Sequence, residues 1–254
     1  VRDYQNFALS DAHQQTRELS SDVMFGLKYT WQDALPIAKE SSLEALNDYS
    51  STLYKETFLE AMVYGDFKET DARKAEQIFR RKTKTKAVER DQVFDITYLQ
   101  FDQPETIQYA NKLKVNNSCF FRKYYIGQDS PEVRAAANII SKALQQPFYT
   151  EMRTNQQLGY IVWSYVRNLD QDHYLNFLIQ SGVYPADELD KRANDFLNTA
   201  PKILKEMGQE NYQRLIDSAI EELEKKPMSI SERAGKLKTL IFEYEADYQR
   251  DKKT

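Results

Sequence analysis

Apolar positions along the chain follow two different periods. Over residues 1–54 the spacing is helical. Leu19, Val23 and Met24 share one face of a segment that starts near Asp11, and Leu43, Leu46, Tyr49 and Leu53 share a face of another. Ser41-Ser42-Leu43-Glu44 precedes the second stripe and reads as a capping box, in which hydroxyl and carboxylate satisfy each other's free backbone donors. The apolar run 58–64 then predicts a strand, turned by Gly65-Asp66, and 71–80 returns to helix.

Residues 80–86, Arg80-Arg81-Lys82-Thr83-Lys84-Thr85-Lys86, contain no apolar residue. The run reads either as a solvated connection or as a polyanion site, and the connection is the simpler reading. A boundary is therefore placed near Ala87, giving units 1–86 and 87–254. Beyond it strands are expected at 93–99, 106–110 and 119–126. Ser130-Pro131 opens a helix, with serine as cap and proline in the first turn. Val133, Ala136, Ala137, Ile140, Ala143 and Leu144 stripe that helix. Pro147 is expected to break or kink it ahead of a short second helix, 148–153.

Residues 160–166 and 173–181 predict two strands, the second with Leu175, Phe177 and Ile179 on one face. The short loop between them, 168–172, makes an antiparallel hairpin the economical pairing. Three helical stripes fill 188–241, punctuated by Gly208 and Pro227. Strands and helices in separate blocks give an α+β fold, an antiparallel sheet packed against helices, expected on one side of it.

Composition narrows the function more by exclusion than by assignment. The 17 Tyr and 13 Phe among 254 residues supply ample material for a core, which argues against disorder. A net charge of -4 gives no sign of a nucleic-acid or anionic-membrane partner. No stretch approaches the roughly eighteen apolar residues of a membrane span, so a soluble protein is expected; its compartment is unknown from the sequence, which is compatible with cytoplasm or periplasm. Val1-Arg2-Asp3-Tyr4-Gln5 has neither Met nor an apolar signal core, and the chain is expected to be a fragment or a processed product.

Cys119 is the only cysteine, which excludes an intrachain disulfide and a cysteine-based zinc site. It reads as a small buried hydrophobe, since a nucleophile needs a base and both histidines are distant in sequence. His13 and His173 fit neither H-E-x-x-H nor H-x-x-E-H, and each reads as structural, His13 on the surface and His173 at a strand's edge. The seven glycines stand singly and form no phosphate loop. Glu221-Glu222-Leu223-Glu224 beside Lys225-Lys226 reads as a solvated helix face.

One local sequence goes further. In Gln146-Pro147-Phe148-Tyr149-Thr150-Glu151-Met152-Arg153-Thr154-Asn155-Gln156-Gln157-Leu158-Gly159-Tyr160-Ile161-Val162, the types at Arg153, Thr154, Gln157, Leu158, Gly159, Tyr160 and Val162 match a fixed pattern. That pattern, a proline, an aromatic, then L-R-T-x-x-Q-L-G-Y-x-V, resembles a segment in the last domain of the insulinase/pitrilysin family of zinc metallopeptidases. Met152 stands where Leu is common, a volume-conserving departure. The resemblance continues more weakly along nearly the whole chain, through 59–66, Leu178-Ile179-Gln180-Ser181 and the helices of 188–241.

The resemblance implies that 1–86 is the C-terminal part of the family's third homologous domain and 87–254 its fourth, lacking its last elements. It implies a parent metalloendopeptidase that degrades peptides, with zinc held by H-x-x-E-H in an N-terminal catalytic half of the same polypeptide. The C-terminal half closes the chamber, and no zinc binds to this chain, which alone is expected to be inactive. It further implies that Arg153 and Tyr160 contact substrate: a guanidinium offers a fork of donors to a peptide carbonyl, and a phenol can donate to a developing oxyanion. Without the motif, Arg153 reads as a cation at a helix end and Tyr160 as a strand aromatic. The alternative within the family is a non-catalytic scaffold or partner subunit, which has no need of both residues.

Overall fold

The computed structural model describes residues 1–100 and 105–254. The chain begins with helices α1 (Arg2–Asn6), α2 (Ala12–Met24), α3 (Trp31–Glu40) and α4 (Leu43–Leu53). A short strand β1 (Glu56–Thr57), helix α5 (Glu69–Thr83) and strand β2 (Lys86–Ala87) follow. The second part comprises β3 (Ser118–Gln128), α6 (Pro131–Tyr149), a π-helical turn (Thr150–Asn155), β4 (Ile161–Leu169) and β5 (Asp172–Ser181). It closes with α7 (Ala186–Glu206), α8 (Gln209–Glu224), α9 (Ile230–Phe242) and α10 (Arg250–Lys253).

The core sits on a three-stranded antiparallel sheet of order β3-β5-β4. β5 is central, and its register sets Ile179 opposite Phe120 and Val162, and Phe177 opposite Arg122 and Ser164. β4 and β5 form the expected hairpin, joined by Asp170-Gln171, with Asp170 at φ 53°. Aspartate tolerates this left-handed conformation, which two-residue hairpin turns demand. Leu175, Phe177 and Ile179 face α6 and α7, where Phe148 meets Phe177 and Phe196 at ring-centroid distances of 4.9 and 5.4 Å. Edge-to-face contacts of this kind add to the burial of the rings.

The opposite face of β5 is buried as well. Tyr174, Asn176 and Leu178 lie inside, and α2 packs against β3 and β5. Helices therefore cover both faces, where one was expected. Tyr174 to Ile179 is an almost unbroken apolar run rather than a strict alternation, which is the pattern of a strand covered twice. His13, expected on the surface, is half-buried by this packing. Its Nδ1 lies 2.9 Å from Gln180 Oε1 and its ring stands edge-on to Trp163.

Several local expectations change. Residues 58–64 form no ladder; the pairing there is between β1 and β2, in parallel. Of 93–99, only Tyr98 pairs, in a bridge to Phe25, and 106–110 carries no strand. Side chains of high strand propensity do not form strands without a partner edge. Arg80, Arg81 and Lys82 are not part of a connection but the last turn of α5, where cations suit the helix dipole. β2 lies where the boundary between the two units is expected. The cap of α4 is Ser42, whose hydroxyl accepts from the Ala45 N–H, while Ser41 donates back to Ile37.

Candidate functional site

Ser130 and Pro131 start α6 as the sequence predicts, the serine hydroxyl accepting from the Val133 N–H at 3.1 Å. The helix does not stop at Pro147. Leu144 and Phe148, on either side of the proline, are both buried in the core, and the helix continues across it. It widens instead into the π-helical turn Thr150–Asn155, closed by bonds from the Gln156 N–H to the Glu151 carbonyl and from the Leu158 N–H to the Met152 carbonyl, each 2.9 Å. Widened turns of this type occur mostly where a helix serves another purpose than packing.

Met152 and Leu158 are almost wholly buried and pin the two ends of this turn. Between them Thr154, Asn155 and Gln157 are exposed, with Gln157 at φ 52°. The Asn155 and Gln156 side chains donate to Glu151 at 2.7 and 2.8 Å. These bonds hold the Glu151 carboxyl below the usual carboxylate range. Gly159 then passes against β5 so closely that a Cβ would lie 1.8 Å from the Gln180 carbonyl oxygen. Only glycine fits that approach.

The turn brings Arg153 and Tyr160 together. The Arg153 guanidinium lies over the Tyr160 ring, 4.7 Å from its centroid. Tyr160 is 81% exposed and Arg153 is half-buried. Among the described residues no carboxylate pairs with Arg153, so its N–H donors remain open. A cation over a ring face, with its donors free, can bind a carbonyl or an anion through those donors. Tyr149, to which the sequence reading gives no role, also lies under the guanidinium, 5.2 Å from centroid to Arg153. Its position four residues before Arg153 is the signal that was there to be read, since such pairs meet on a helix.

The other polar candidates have structural partners. His173 Nε2 lies 2.7 Å from Asp129 Oδ1, at the opposite end of β5 from Gln180. Asp129 also receives Arg134 and Arg250. His13 and His173 thus have separate surroundings, and among the described residues no group of three or more His, Cys, Asp or Glu side chains is arranged to hold a metal. Burial pushes the Cys119 thiol up to about 12, against a smaller opposing pull from Thr16, so it stays protonated near neutrality. No described helix is long and apolar enough to cross a membrane.

Comparison with known proteins finds a family match that spans this turn. Residues 139–238 match the family described as PQQ synthase PqqF-like, C-terminal lobe domain 4. Insulin-degrading enzyme of Mus musculus is 25% identical over 257 residues, covering 99% of this chain and 25% of the relative. A-factor-processing enzyme of Saccharomyces cerevisiae is 22% identical over 247 residues, covering 95% and 24%. The chain thus spans about a quarter of the length of the curated relatives it matches. The crystal structure of pitrilysin superposes with a TM-score of 0.75 over 89% of this chain and 24% of that one, at 19% identity, and so shares its fold. Along its length the chain resembles the C-terminal part of insulinase/pitrilysin family members, and it shares the fold of pitrilysin.

Proposed function

We propose that this chain is the C-terminal half fragment of a zinc metalloendopeptidase that degrades peptides, and that it closes the catalytic chamber over substrate. In this reading residues 1–86 are the end of the third homologous domain and 87–254 the fourth, without its last elements. Zinc belongs to the N-terminal catalytic half of the same polypeptide, and this chain alone cleaves no peptide. Arg153 binds a substrate carbonyl, and the Tyr160 hydroxyl donates to the charge that develops on the scissile carbonyl oxygen. The observation that carries the reading is the pair itself: an arginine without a carboxylate partner, held over the ring of an exposed tyrosine. The exposed stripe Leu43, Leu46 and Tyr49 on α4 adds support, because an open apolar face of that size suits a neighbour in a longer polypeptide.

The test is Tyr160→Phe in the intact parent enzyme, which removes a hydroxyl and little else. Turnover should fall by roughly tenfold to a thousandfold, the range for losing one donor to a transition state, with zinc content unchanged. Arg153→Ala should lower kcat/KM at least as far, because it removes a charged, forked donor. Full activity in Tyr160→Phe, or a parent that cleaves no peptide, would leave the non-catalytic scaffold as the better reading.

A further inference from the structure

The Arg153 guanidinium rests over two tyrosine rings, and only one of them belongs to the pair assigned above. The two rings differ in what holds them. Tyr160 is 81% exposed. Tyr149 is partly buried, closes α6 and packs against the core cluster that contains Phe148, Met152 and Leu158. The fixed surface under the guanidinium is therefore that of Tyr149. An unpartnered arginine on an open surface samples many rotamers, and that freedom must be lost before it can bind. A carboxylate would fix it too, but would occupy its donors and neutralise its charge. A ring takes hold of the cation through its face and leaves the N–H edges open.

We propose that Tyr149 is a positioning residue: its ring fixes the Arg153 guanidinium, and through it the Tyr160 ring, so that donors and hydroxyl present themselves together to an extended peptide. The proposal rests on the peptide-binding reading of Arg153 and Tyr160. It differs from that reading in assigning the geometry of the pair to a third residue, acting through Arg153. What matters at position 149 is then the aromatic face and not the hydroxyl.

Two experiments separate the positioning from the chemistry. The first uses this chain, isotope-labelled on arginine, and follows the Arg153 Nε–H signal, assigned by its loss in Arg153→Lys. In the wild type and in Tyr149→Phe the signal should be shifted by ring current and rigid. In Tyr149→Leu and Tyr149→Met, which fill the space without a π face, it should move to the position of a free arginine with the melting temperature nearly kept. An unshifted, mobile wild-type signal, or equal loss in Tyr149→Phe, overturns the proposal irrespective of how the aliphatic variants fold.

The second experiment uses the intact parent. Tyr149→Phe should keep kcat/KM within about twofold, while Tyr149→Leu should lower it about tenfold with zinc content unchanged. Millimolar guanidinium should partly restore Arg153→Ala but not Arg153→Ala/Tyr149→Leu. Rescue that is indifferent to Tyr149 overturns the proposal. An arginine signal that responds as stated beside a turnover insensitive to Arg153 and Tyr160 would instead remove the peptidase reading and leave the stack intact.

Discussion

Arg250 grips both carboxylate oxygens of Asp129, with Nη1 at 2.6 Å from Oδ2 and Nη2 at 2.5 Å from Oδ1, across 121 positions of sequence. His173 and Arg134 complete the cluster at 2.7 and 2.8 Å. All four side chains are nearly buried, and Arg250 lies over the Tyr244 ring. The cluster ties the end of β3 and the start of β5 to α10, and through Tyr244 to the segment after α9. Asp129→Asn keeps the shape but leaves two buried guanidinium groups short of their counter-charge. Removing one partner of such a cluster costs about 3 kcal/mol, and chemical denaturation at neutral pH should report a loss of that order.

The same carboxyl sets a dependence on acid. Burial alone would raise its pKa, but the bonds from Arg250 and His173 and the charges of Arg250 and Arg134 outweigh burial and hold it well below the ordinary value of 3.8. A depressed folded pKa means that the stabilisation is complete above the unfolded pKa, near 4, and is lost as pH falls below it toward the folded value. Melting temperature measured from pH 6 down to pH 2 should therefore fall faster for the wild type than for Asp129→Asn, and the gap between them should narrow.

Lys123 is a charge that the fold disfavours. Burial, with the nearby Arg167 charge, lowers its pKa to about 8, and its ammonium lies over the Tyr174 ring. The folded state disfavours the charged form, so the unfolded chain binds more protons between pH 8 and 10.5 and stability rises with pH across that window. Lys123→Met should be more stable than the wild type at pH 7, by on the order of 1 kcal/mol, and the advantage should shrink toward pH 10.5. An unchanged difference between the two proteins from pH 7 to 10.5 would contradict this.

Gly159→Ala places a methyl on the Gln180 carbonyl oxygen, 1.8 Å away before any shift. Backbone must move, and the start of β4 moves with it. A loss of roughly 3 kcal/mol is expected in thermal or denaturant unfolding, with chemical-shift changes concentrated at Leu158 to Ile161 and at Gln180.

Arg153→Ala and Tyr160→Phe should leave the stability of this chain within about 0.5 kcal/mol, because neither side chain is part of the core. A large drop in melting temperature for either would make the pair a structural feature.

What the sequence disclosed depended on whether the deciding partners were local. The β4–β5 hairpin, the cap at Ser130 and the helices α7 to α9 follow from residues within a turn or two of one another. The turn carrying Arg153 and Tyr160 was legible for a different reason: its motif fixes many types at short spacing. Strands at 58–64, 93–99 and 106–110 were overread, since propensity names residues that suit a sheet without saying whether an edge is free to receive them. A break at Pro147 was overread too, because the burial of Leu144 and Phe148 lies outside what a helix-breaker rule can weigh. Tyr149 was passed over although its spacing of four from Arg153 was legible, because that spacing does not show that Tyr160 comes to the same guanidinium. The Asp129 cluster joins residues from three distant segments, and no spacing rule reaches that far.

The position of α2 has a consequence for the order in which the molecule can be assembled. Its thirteen residues are synthesised long before β3 and β5, on which it packs. Until Ser181 has been made, the part of β5 that receives α2 is incomplete, and the finished hairpin leaves Trp163 and Gln180 without His13 until α2 arrives. Contacts this distant in sequence form later than a local hairpin, so the late step in refolding should be the docking of α2 onto the sheet.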